Sequence, residues 1–387
     1  MASKRALATL KVALVGTKFM GRAHANAWGQ VGRFFDVKRK VAVDCVAARD
    51  AQALKAFAEQ WGIPRWTDDW RTLANDERID LVDVLTSNDS HREIALAMLA
   101  AGKHVACEKP LAGTLDEARA MRDAAQKSKR ETFVWFNYRR CPAVALAHQL
   151  VREGRLGRIR HVRATYLQSW GGPKTPFSWR FSRASAGSGA HGDLNAHIVD
   201  MARFITGDEI TEIHGAVART FVEERLDSRT KRKVKSDVDD AVVFLASFAH
   251  GAVASFEASR VATGHHNRNA IEINGEKGSL RFEFEDMNVL WFFDAALDDR
   301  TSGWRRILAT SSSGAHPFVD AWWPDGHVLG YEHTFTNQAA DIVRALSGEK
   351  PLVPLPDFAD AYETQRVLEA ALIAAKERTS VRLSEVR

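Results

Sequence analysis

Short apolar segments alternate with helical patterns along the first 140 residues, and no other feature constrains the fold of this chain as strongly. The apolar segments span residues 10–15, 41–47, 79–86, 103–107 and 132–136. Each of the first four is followed by a stretch of helical periodicity. Continuous apolar strands that alternate with helices form parallel sheets that are buried on both faces. The pattern therefore predicts a parallel-sheet α/β domain over residues 1–138.

A different pattern occupies residues 139–387. Helical patterns span 142–151, 334–346 and 358–376, and predicted strands span 159–168, 210–220, 241–248, 252–259, 270–274, 279–284 and 289–293. Glycine-containing turns at 249–251 and 275–278 join neighbouring strands, as in β-hairpins. We expect a second, α+β domain with a large, mainly antiparallel sheet, and the length of the chain suffices for two domains.

The charge of the chain gives no indication of a nucleic-acid-binding surface. The formal net charge is +5, from 54 basic and 49 acidic residues. The basic runs at 38–40, 127–130 and 229–235 lie far apart, without interleaved aromatic residues or zinc-finger spacing. We interpret them as solvated loops and helix ends, and expect no nucleic-acid partner.

The cysteines and the apolar segments argue against several other classes of protein. Cys45, Cys107 and Cys141 form no close pair, so the sequence offers neither a disulfide framework nor a zinc site. Cys45 and Cys107 lie in apolar runs and are predicted core residues. The apolar stretch near the N-terminus is interrupted by Thr9 and Lys11, too early for a signal peptide, and no segment has the length of a membrane span. A cytoplasmic location without membrane contact is the expectation.

The first predicted strand runs into a glycine turn at residues 16–21. A strand, a tight turn and a helix N-terminus in this order are typical of dinucleotide-binding sites. Gly16 would form the turn and Gly21 would let the helix pack closely on the sheet. The N–H groups of the first helical turn would then face the pyrophosphate. Lys18 takes the place of the middle glycine, so the motif is incomplete.

The end of the second predicted strand bears on the choice between NAD and NADP. An acidic ligand of the ribose is usual there, but Ala48 takes its place and Arg49 follows. An arginine at this point accommodates a 2′-phosphate, and Lys18 could reach the same charge, which favours NADP. Alternatively, Arg49 is simply exposed to solvent and Asp50 caps the helix that begins at Ala51.

Lys109 follows the fourth predicted strand, within Glu108-Lys109-Pro110. Ligands of an open parallel sheet bind beyond the carboxyl ends of the strands, so we expect the ammonium group of Lys109 at the nicotinamide. Pro110 biases Lys109 toward an extended conformation. By spacing alone, a surface lysine ahead of a proline that starts a helix is the alternative.

A second polar group of residues follows a stretch rich in glycine and serine at 184–192. Asp193 and His197 are four residues apart and would share one face of a helix, with Asp200 near His197. A carboxylate beside a histidine holds its tautomer and stabilises its protonated form, which suits a base for a hydroxyl proton. The alternative is an ordinary helix with Asp193 as a favourable charge near its N-terminus.

Together these segments resemble the Gfo/Idh/MocA family of glucose–fructose oxidoreductases and inositol dehydrogenases, over nearly the whole chain. The matching parts are 19–21 with His24, 79–91 with Thr86, Asn88 and His91, 108–110, 137–139, Asp193 with His197, and 274–280. The chain departs from the family pattern at Lys18 and Ala48, which leaves the choice of cofactor open.

The resemblance implies a Rossmann dinucleotide-binding domain and a catalytic set of Lys109, Asp193 and His197. His197 would take the substrate's hydroxyl proton, Lys109 would stabilise the oxygen, and Asp193 would orient the pair. Residues expected to contact the cofactor, NAD or NADP, are Gly16, Lys18, Phe19, Met20, Gly21, Arg49, Thr86, Asn88, His91, Glu108, Lys109 and Asn137. Residues expected at the substrate are Lys109, Tyr138, Trp179, Arg180, Asp193, His197 and His333.

The resemblance also implies that the second domain has an open sheet, which pairs subunits into a homodimer or homotetramer. No metal site is expected, because His265 and His266 lack a third ligand. The expected activity is NAD(P)-dependent oxidoreduction of a secondary alcohol on a cyclic polyol or sugar, such as an inositol, an anhydrosugar like levoglucosan, or a glycoside. The alternatives are an NAD-dependent glycoside hydrolase of the same family and a non-catalytic dinucleotide-binding sensor.

Overall fold

The computed structural model describes residues 9–311 and 315–386, and its N-terminal part is a parallel sheet flanked by helices. The strands are β1 (Leu10–Val15), β2 (Val41–Ala47), β3 (Arg65–Thr67), β4 (Leu81–Val84), β5 (His104–Cys107) and β6 (Thr132–Val134). The helices are α1 (Phe19–Phe34), α2 (Ala51–Trp61), α3 (Asn88–Ala100) and α4 (Leu115–Ser128). The strand order β3-β2-β1-β4-β5-β6 is that of the Rossmann fold, with its ligand-binding crevice beside β1 and β4. The predicted α/β domain is confirmed, with β3 as an additional strand.

The C-terminal part contains a sheet of nine strands in the order β16-β15-β14-β13-β7-β12-β11-β8-β17. The strands after β6 are β7 (Ile159–Leu167), β8 (Ile210–Arg219), β9 (Glu224–Leu226), β10 (Lys233–Lys235), β11 (Ala241–Phe248), β12 (Val253–Ser259), β13 (Arg268–Gly275), β14 (Gly278–Glu283), β15 (Val289–Asp294), β16 (Arg305–Leu308) and β17 (Val381–Arg382). All neighbours in this sheet are antiparallel except β7 and β12. β9 and β10 form a separate hairpin. The predicted mainly antiparallel sheet and both predicted hairpin turns are confirmed.

Helices cover one face of the nine-stranded sheet. The helices after α4 are α5 (Pro142–Arg152), α6 (Arg183–Ala186), α7 (Ala196–Thr206), α8 (Tyr331–Leu346) and α9 (Phe358–Glu377), with a π-helical turn at His191–Asn195. Short 3₁₀ turns lie at Trp70–Leu73, Asn137–Arg140, Trp179–Phe181, Phe284–Asp286, Val319–Ala321 and Leu383–Glu385. α5 and α7 pack on the inner strands, so the core of this part lies between them and the sheet.

The last two long helices return to the N-terminal part. α8 packs against α1, and α9 packs against α4. Two side-chain hydrogen bonds fix α8 beside the end of β6: Asn137 donates to Thr334 Oγ1 at 2.8 Å, and Gln338 donates to the carbonyl of Val134 at 2.7 Å. These contacts hold the cleft between the two parts in one geometry. The division of the chain at residues 138 and 139 stays a prediction, and it falls within a 3₁₀ turn.

The cysteines lie in the core. Cys45, Cys107 and Cys141 are buried free thiols, so the predicted core positions of Cys45 and Cys107 are confirmed. Within the described ranges, no helix combines the length and apolarity needed to cross a membrane. The same residues contain no group of three or more His, Cys, Asp or Glu side chains placed to hold a metal ion.

Candidate active site

The glycine turn between β1 and α1 has the geometry of a dinucleotide-binding turn. Gly16 has a φ of +126°, and a Cβ there would lie 2.7 Å from the carbonyl oxygen of Leu85. A Cβ on Gly21 would lie 2.5 Å from the carbonyl oxygen of Gly16, so both positions require glycine. No side chain caps the N-terminus of α1, and its first N–H groups are available to an anion. The turn therefore fits a pyrophosphate, although Lys18 replaces the middle glycine.

At the end of β2, Arg49 and Asp50 have the exposure and the capping role that the sequence offered as the alternative to a phosphate contact. Arg49 is exposed. Asp50 accepts a hydrogen bond from the N–H of Ala53 at 3.1 Å and caps α2. The cap is confirmed, and it does not prevent Arg49 from meeting a phosphate, so a role of Arg49 in cofactor choice stays a prediction.

A cavity of about 710 Å³ lies between the two parts of the chain. It brings together many of the residues that the sequence singled out, namely Phe19, Met20, Thr86, Asn88, Glu108, Lys109, Asn137, Tyr138, Trp179, Arg180, Asp193 and His197. The N-terminal residue of α1, the end of β5 and the start of the π-helical turn thus face one space. Its size suits a small molecule beside a nicotinamide ring.

Lys109 and Asp193 form an ion pair across this cavity. Lys109 Nζ donates to Asp193 Oδ1 and to the carbonyl oxygen of Asp193, each at 2.9 Å. Arg260, a buried residue that follows β12, donates to Asp193 Oδ2 at 3.2 Å. Burial raises the pKa of Asp193, but Lys109 and Arg260 outweigh burial and hold it below its usual range. Asp193 is therefore ionised, and Lys109 is held in place by two acceptors.

The backbone that carries Asp193 is a π-helical turn, whereas the sequence predicted a regular helix through this residue. Asp239 anchors the turn, since its carboxylate accepts the N–H groups of Gly189 and His191, each at 2.8 Å. A Cβ on Gly189 would lie 1.7 Å from the carbonyl oxygen of Asp239, so only glycine fits there. Such π-helical turns are often found at functional sites, where they redirect a side chain.

His197 is a buried, uncharged ring at the wall of the cavity. It packs against Tyr138, with ring centroids 4.5 Å apart, and against Tyr166 at 5.8 Å. Burial first, and then the charge of Lys109, hold the pKa of His197 well below its ordinary value of 6.5. Among the described residues, none forms a hydrogen bond with the buried His197 Nδ1. His197 is thus uncharged at neutral pH, with its ring on the wall of the cavity.

The expected pairing of His197 with Asp200 is wrong. Asp200 is buried, and its Oδ2 accepts a hydrogen bond from Arg139 Nε at 2.9 Å. Arg139 also binds Asp360 at the start of α9. A buried carboxylate pairs with the strongest available donor, and an arginine from another element takes precedence over a neutral histidine three residues away.

A chain of polar side chains forms the substrate-side wall, and sequence reasoning missed most of it. Tyr138 and Tyr166 share a hydrogen bond of 2.7 Å between their hydroxyl groups. Asn267 Oδ1 accepts from the Tyr166 hydroxyl at 2.8 Å and from Gln168 Nε2 at 2.7 Å. Tyr166 lies in β7 and Gln168 follows directly after its end, two residues along, so the period of two is the available signal.

Aromatic rings complete the two ends of the cavity. At the substrate-side end, Trp170 hydrogen-bonds Gln168 at 2.6 Å, and the guanidinium group of Arg180 lies 4.5 Å from the ring centroid of Trp179. At the opposite end, Phe19 and Tyr331 stack with centroids 6.2 Å apart. Flat apolar surfaces alternating with hydroxyl and amide groups are suited to the faces and hydroxyls of a ring-shaped polyol.

Among the predicted contacts that do not line the cavity, His91 and His333 are corrected. His91 is fully buried, and its Nδ1 lies 3.2 Å from the carbonyl oxygen of Pro110, so it supports the loop after Lys109 instead of meeting the cofactor. His333 Nδ1 accepts the N–H of Gly330 at 3.0 Å, which places it at the N-terminus of α8 instead of at the substrate. In both cases the ring is used by nearby backbone.

A Rossmann sheet with an uncapped glycine turn, facing a Lys–Asp pair and a neutral histidine, defines a dinucleotide-dependent oxidoreductase. Family models agree with this assignment. Residues 10–136 match the oxidoreductase family with an NAD-binding Rossmann fold, and residues 144–281 match the GFO/IDH/MocA C-terminal domain. The chain belongs to the GFO/IDH/MocA family.

Individual relatives are similar over almost the full length. The levoglucosan dehydrogenase of Pseudarthrobacter phenanthrenivorans is 38% identical over 97% of this chain and 99% of the relative. A crystal structure of an oxidoreductase domain protein from Kribbella flavida superposes with a TM-score of 0.93 at 49% identity, over 97% of this chain and 100% of that one. A levoglucosan dehydrogenase structure in complex with NADH and levoglucosan has a TM-score of 0.91 at 38% identity, over 97% and 99% of the two chains.

Proposed function

We propose that this protein oxidises a secondary alcohol of a cyclic polyol or sugar and transfers the hydride to NAD or NADP. The observation that carries the proposal is the ion pair of Lys109 with Asp193 beside the uncharged His197, in a cavity that adjoins the glycine turn. The nicotinamide, when bound, accepts the hydride that leaves the carbinol carbon. Gly16, the N-terminus of α1 and the end of β4 would hold the dinucleotide.

Each member of the set has one task in this reaction. His197 accepts the hydroxyl proton, because its neutral ring is a base near pH 7. Lys109 donates a hydrogen bond to the same oxygen and stabilises its developing negative charge. Asp193 holds the ammonium group and offers its carboxylate to a neighbouring hydroxyl. The alcohol thus loses one proton to the protein and one hydride to the cofactor, and leaves as a ketone.

The wall of the cavity supports a ring-shaped, uncharged substrate. The hydrogen-bonded chain from Tyr138 to Gln168 offers hydroxyl and amide groups, and Trp170 and Trp179 offer flat faces. Inositols, anhydrosugars and glycosides present such a combination of hydroxyls and apolar faces. The similarity to a levoglucosan dehydrogenase supports an anhydrosugar as the first compound to examine.

The test is a screen of cyclic polyols, anhydrosugars and glycosides with NAD and with NADP, followed by the absorbance of the reduced nicotinamide. Substrate-dependent reduction with at least one compound is expected. Glycosidic cleavage without net reduction, by an enzyme that keeps its cofactor, would instead establish a hydrolase. Binding of cofactor and sugar with neither reaction would overturn the proposal in favour of a sensor.

Arg49 is proposed to favour NADP over NAD. Replacing Arg49 by alanine is expected to weaken NADP binding by roughly tenfold, the scale of one partly solvated arginine–phosphate hydrogen bond, and to leave NAD binding nearly unchanged. Titration of both cofactors by calorimetry measures the difference. Arg33→Ala, at the exposed C-terminal end of α1, is the control. An equal loss for both cofactors would remove the argument for the phosphate.

The open face of the nine-stranded sheet is proposed to pair two subunits. Val217, Val243, Leu245 and Val253 are each about half exposed on the adjacent strands β8, β11 and β12, and Val243 lies directly opposite Val217. No described helix covers this face. Exposed apolar surface of this kind is typical of an interface, and a homodimer or homotetramer places it out of water. The predicted cytoplasmic location stays a prediction.

Leu245→Lys is expected to shift the protein toward the monomer, because the dimer would have to bury an unpaired ammonium group. Sedimentation velocity of the full chain measures the change. Val328→Lys, at an exposed apolar residue outside this sheet, is the matched control and should keep the parent's mass. An L245K variant that sediments like the parent would place the interface elsewhere.

A further inference from the structure

A row of three buried ionisable side chains ends at the wall of the cavity. His24 of α1 is fully buried between Asp83 of β4 and Glu108. Its Nδ1 lies 2.9 Å from Asp83 Oδ2, and its Nε2 lies 2.9 Å from Glu108 Oε1. Glu108 lines the cavity, whereas Asp83 and His24 lie behind it. The proposed reaction assigns no task to this row.

Asp83 is surrounded by hydrogen-bond donors. Trp135 donates its indole N–H to Asp83 Oδ1, and Trp28 donates to Oδ2, each at 2.8 Å. An indole nitrogen is a donor only, so both oxygens of Asp83 are acceptors. His24 Nδ1 is the third nitrogen within hydrogen-bond distance of this carboxyl group.

At the other end of the row, each carboxylate oxygen of Glu108 has one partner. Its Oε2 accepts the backbone N–H of Lys109 at 3.1 Å, which leaves Oε1 for His24. Burial opposes a charge on the imidazole, but Asp83 and then Glu108 outweigh burial and raise the pKa of His24 to about 9. His24 therefore donates from both ring nitrogens at neutral pH.

We propose that His24 is a positioning residue of the active site: by binding Glu108 it fixes the backbone of Lys109, and so the reach of the ammonium group to Asp193. The chain of contacts is continuous. His24 holds one carboxylate oxygen of Glu108, Lys109 N–H holds the other, and Lys109 Nζ meets Asp193 Oδ1 at 2.9 Å. The inference rests on the proposed role of Lys109 in catalysis.

The other groups that face His24 are neutral over the relevant pH range. Cys107 on β5 is fully buried, and burial first, then Glu108, raise the pKa of its thiol well above 9. Tyr331 on α8 faces Glu108, and burial first, then Glu108, raise the pKa of its hydroxyl well above 10. The rings of Trp135 and Phe335, with centroids 4.2 and 5.1 Å from that of His24, carry no charge. Among these described neighbours, His24 is the group that changes charge near pH 9.

Two conservative variants separate the two ends of the row. Asn in place of His24 can donate near the position of Nδ1, toward Asp83, whereas Gln can donate near the position of Nε2, toward Glu108. If His24 acts through Glu108, H24N should lower kcat about 10- to 100-fold, the scale of a lost hydrogen bond to a charged group, with little change in dinucleotide affinity. H24Q should recover roughly tenfold of that loss. Equal kcat values in the two variants would contradict the proposal.

The pH profile provides a readout that a purely structural residue would not move. The pKa of folded His24 lies above the ordinary value of 6.5, so its charged form is complete below pH 6.5 and is lost as the pH rises through about 9. In the parent enzyme, kcat should fall through this pH. In H24Q, which has no group to titrate there, this fall should be absent. The same alkaline fall in H24Q would assign it to another group and overturn the proposal.

The charge of His24 is also measurable without cofactor or substrate. In the apo-protein, histidine-selective ¹⁵N NMR of the parent should show one ring protonated on both nitrogens from pH 7 to about 9, and this signal should be missing in H24N. A neutral ring at pH 7 would overturn the positioning role, whatever Lys109 does. A protonated His24 in an enzyme that tolerates loss of Lys109 would instead refute the proposed function. The measurement on the parent needs no variant to fold.

Discussion

Replacing Lys109 by alanine is expected to lower kcat by at least about 10²- to 10³-fold, the usual cost of removing one donor that stabilises a developing oxyanion. Lys109 Nζ lies 2.9 Å from Asp193 Oδ1 and lines the cavity, which places a cation where it can meet the substrate oxygen. The variant should still bind the dinucleotide, since the glycine turn and the N-terminus of α1 are separate from this side chain. Steady-state kinetics and a fluorescence titration of the cofactor measure the two effects.

The fold of the Lys109 variant should be retained. Asp193 keeps its second partner, Arg260 Nη2 at 3.2 Å, so its carboxylate is not left unpaired. Lys127→Ala, at an exposed lysine of α4, is the control for a general loss of positive charge and should behave like the parent. Full activity of K109A would refute the proposed mechanism.

Much of the fold could be predicted because strands that are buried on both faces of a sheet consist almost entirely of apolar residues. β1, β2 and β5 are apolar apart from one polar residue each, Lys11, Asp44 and His104, and the sequence predicts all three strands. The strands that the sequence does not predict are short and carry charged or polar side chains: β3, β9 and β10 have three residues each, β16 begins with two arginines, and β17 has two residues. Such strands form because a neighbouring strand offers free backbone groups, and their own sequence has no period to recognise.

Site residues could be predicted where strand position, spacing or family resemblance marks them. Their hydrogen-bond partners from other parts of the chain could not be predicted in this way. Lys109, Asp193 and His197 were assigned from strand position, spacing and family resemblance, and the structure brings them together at the cavity. Arg260 directly follows β12 and Asn267 directly precedes β13, the two strands on either side of β7, and no local pattern marks them. Asp200 shows the reverse case, since spacing on a helix does not reveal that Arg139, from another element, competes for this carboxylate.

Replacing His197 by glutamine is expected to lower kcat about 10²- to 10⁴-fold, the range for loss of a general base. Glutamine keeps a polar side chain of similar length among Tyr138 and Tyr166 but cannot accept and release a proton near neutral pH. Binding of substrate should change much less than kcat, since the walls formed by Tyr166, Asn267 and Trp170 remain. Kinetics at saturating cofactor, with KM reported separately from kcat, test this.

The acid side of the pH profile makes the assignment to His197 specific. Burial and the charge of Lys109 hold the pKa of His197 well below 6.5, so the neutral, active form persists to more acid pH than an exposed histidine would allow. The parent should therefore keep its oxidative activity through pH 6.5 and lose it only at lower pH. H197Q should lose most of its rate, and the activity that remains should no longer show this fall at acid pH. His250→Gln, at a histidine exposed on the turn between β11 and β12, should retain both the parent's rate and its fall in activity at acid pH. If H197Q kept the parent's rate and the same loss of activity at acid pH, the base would have to be another group at the cavity. For Lys109 to be that base, it would have to give up a proton that Asp193 now holds in place.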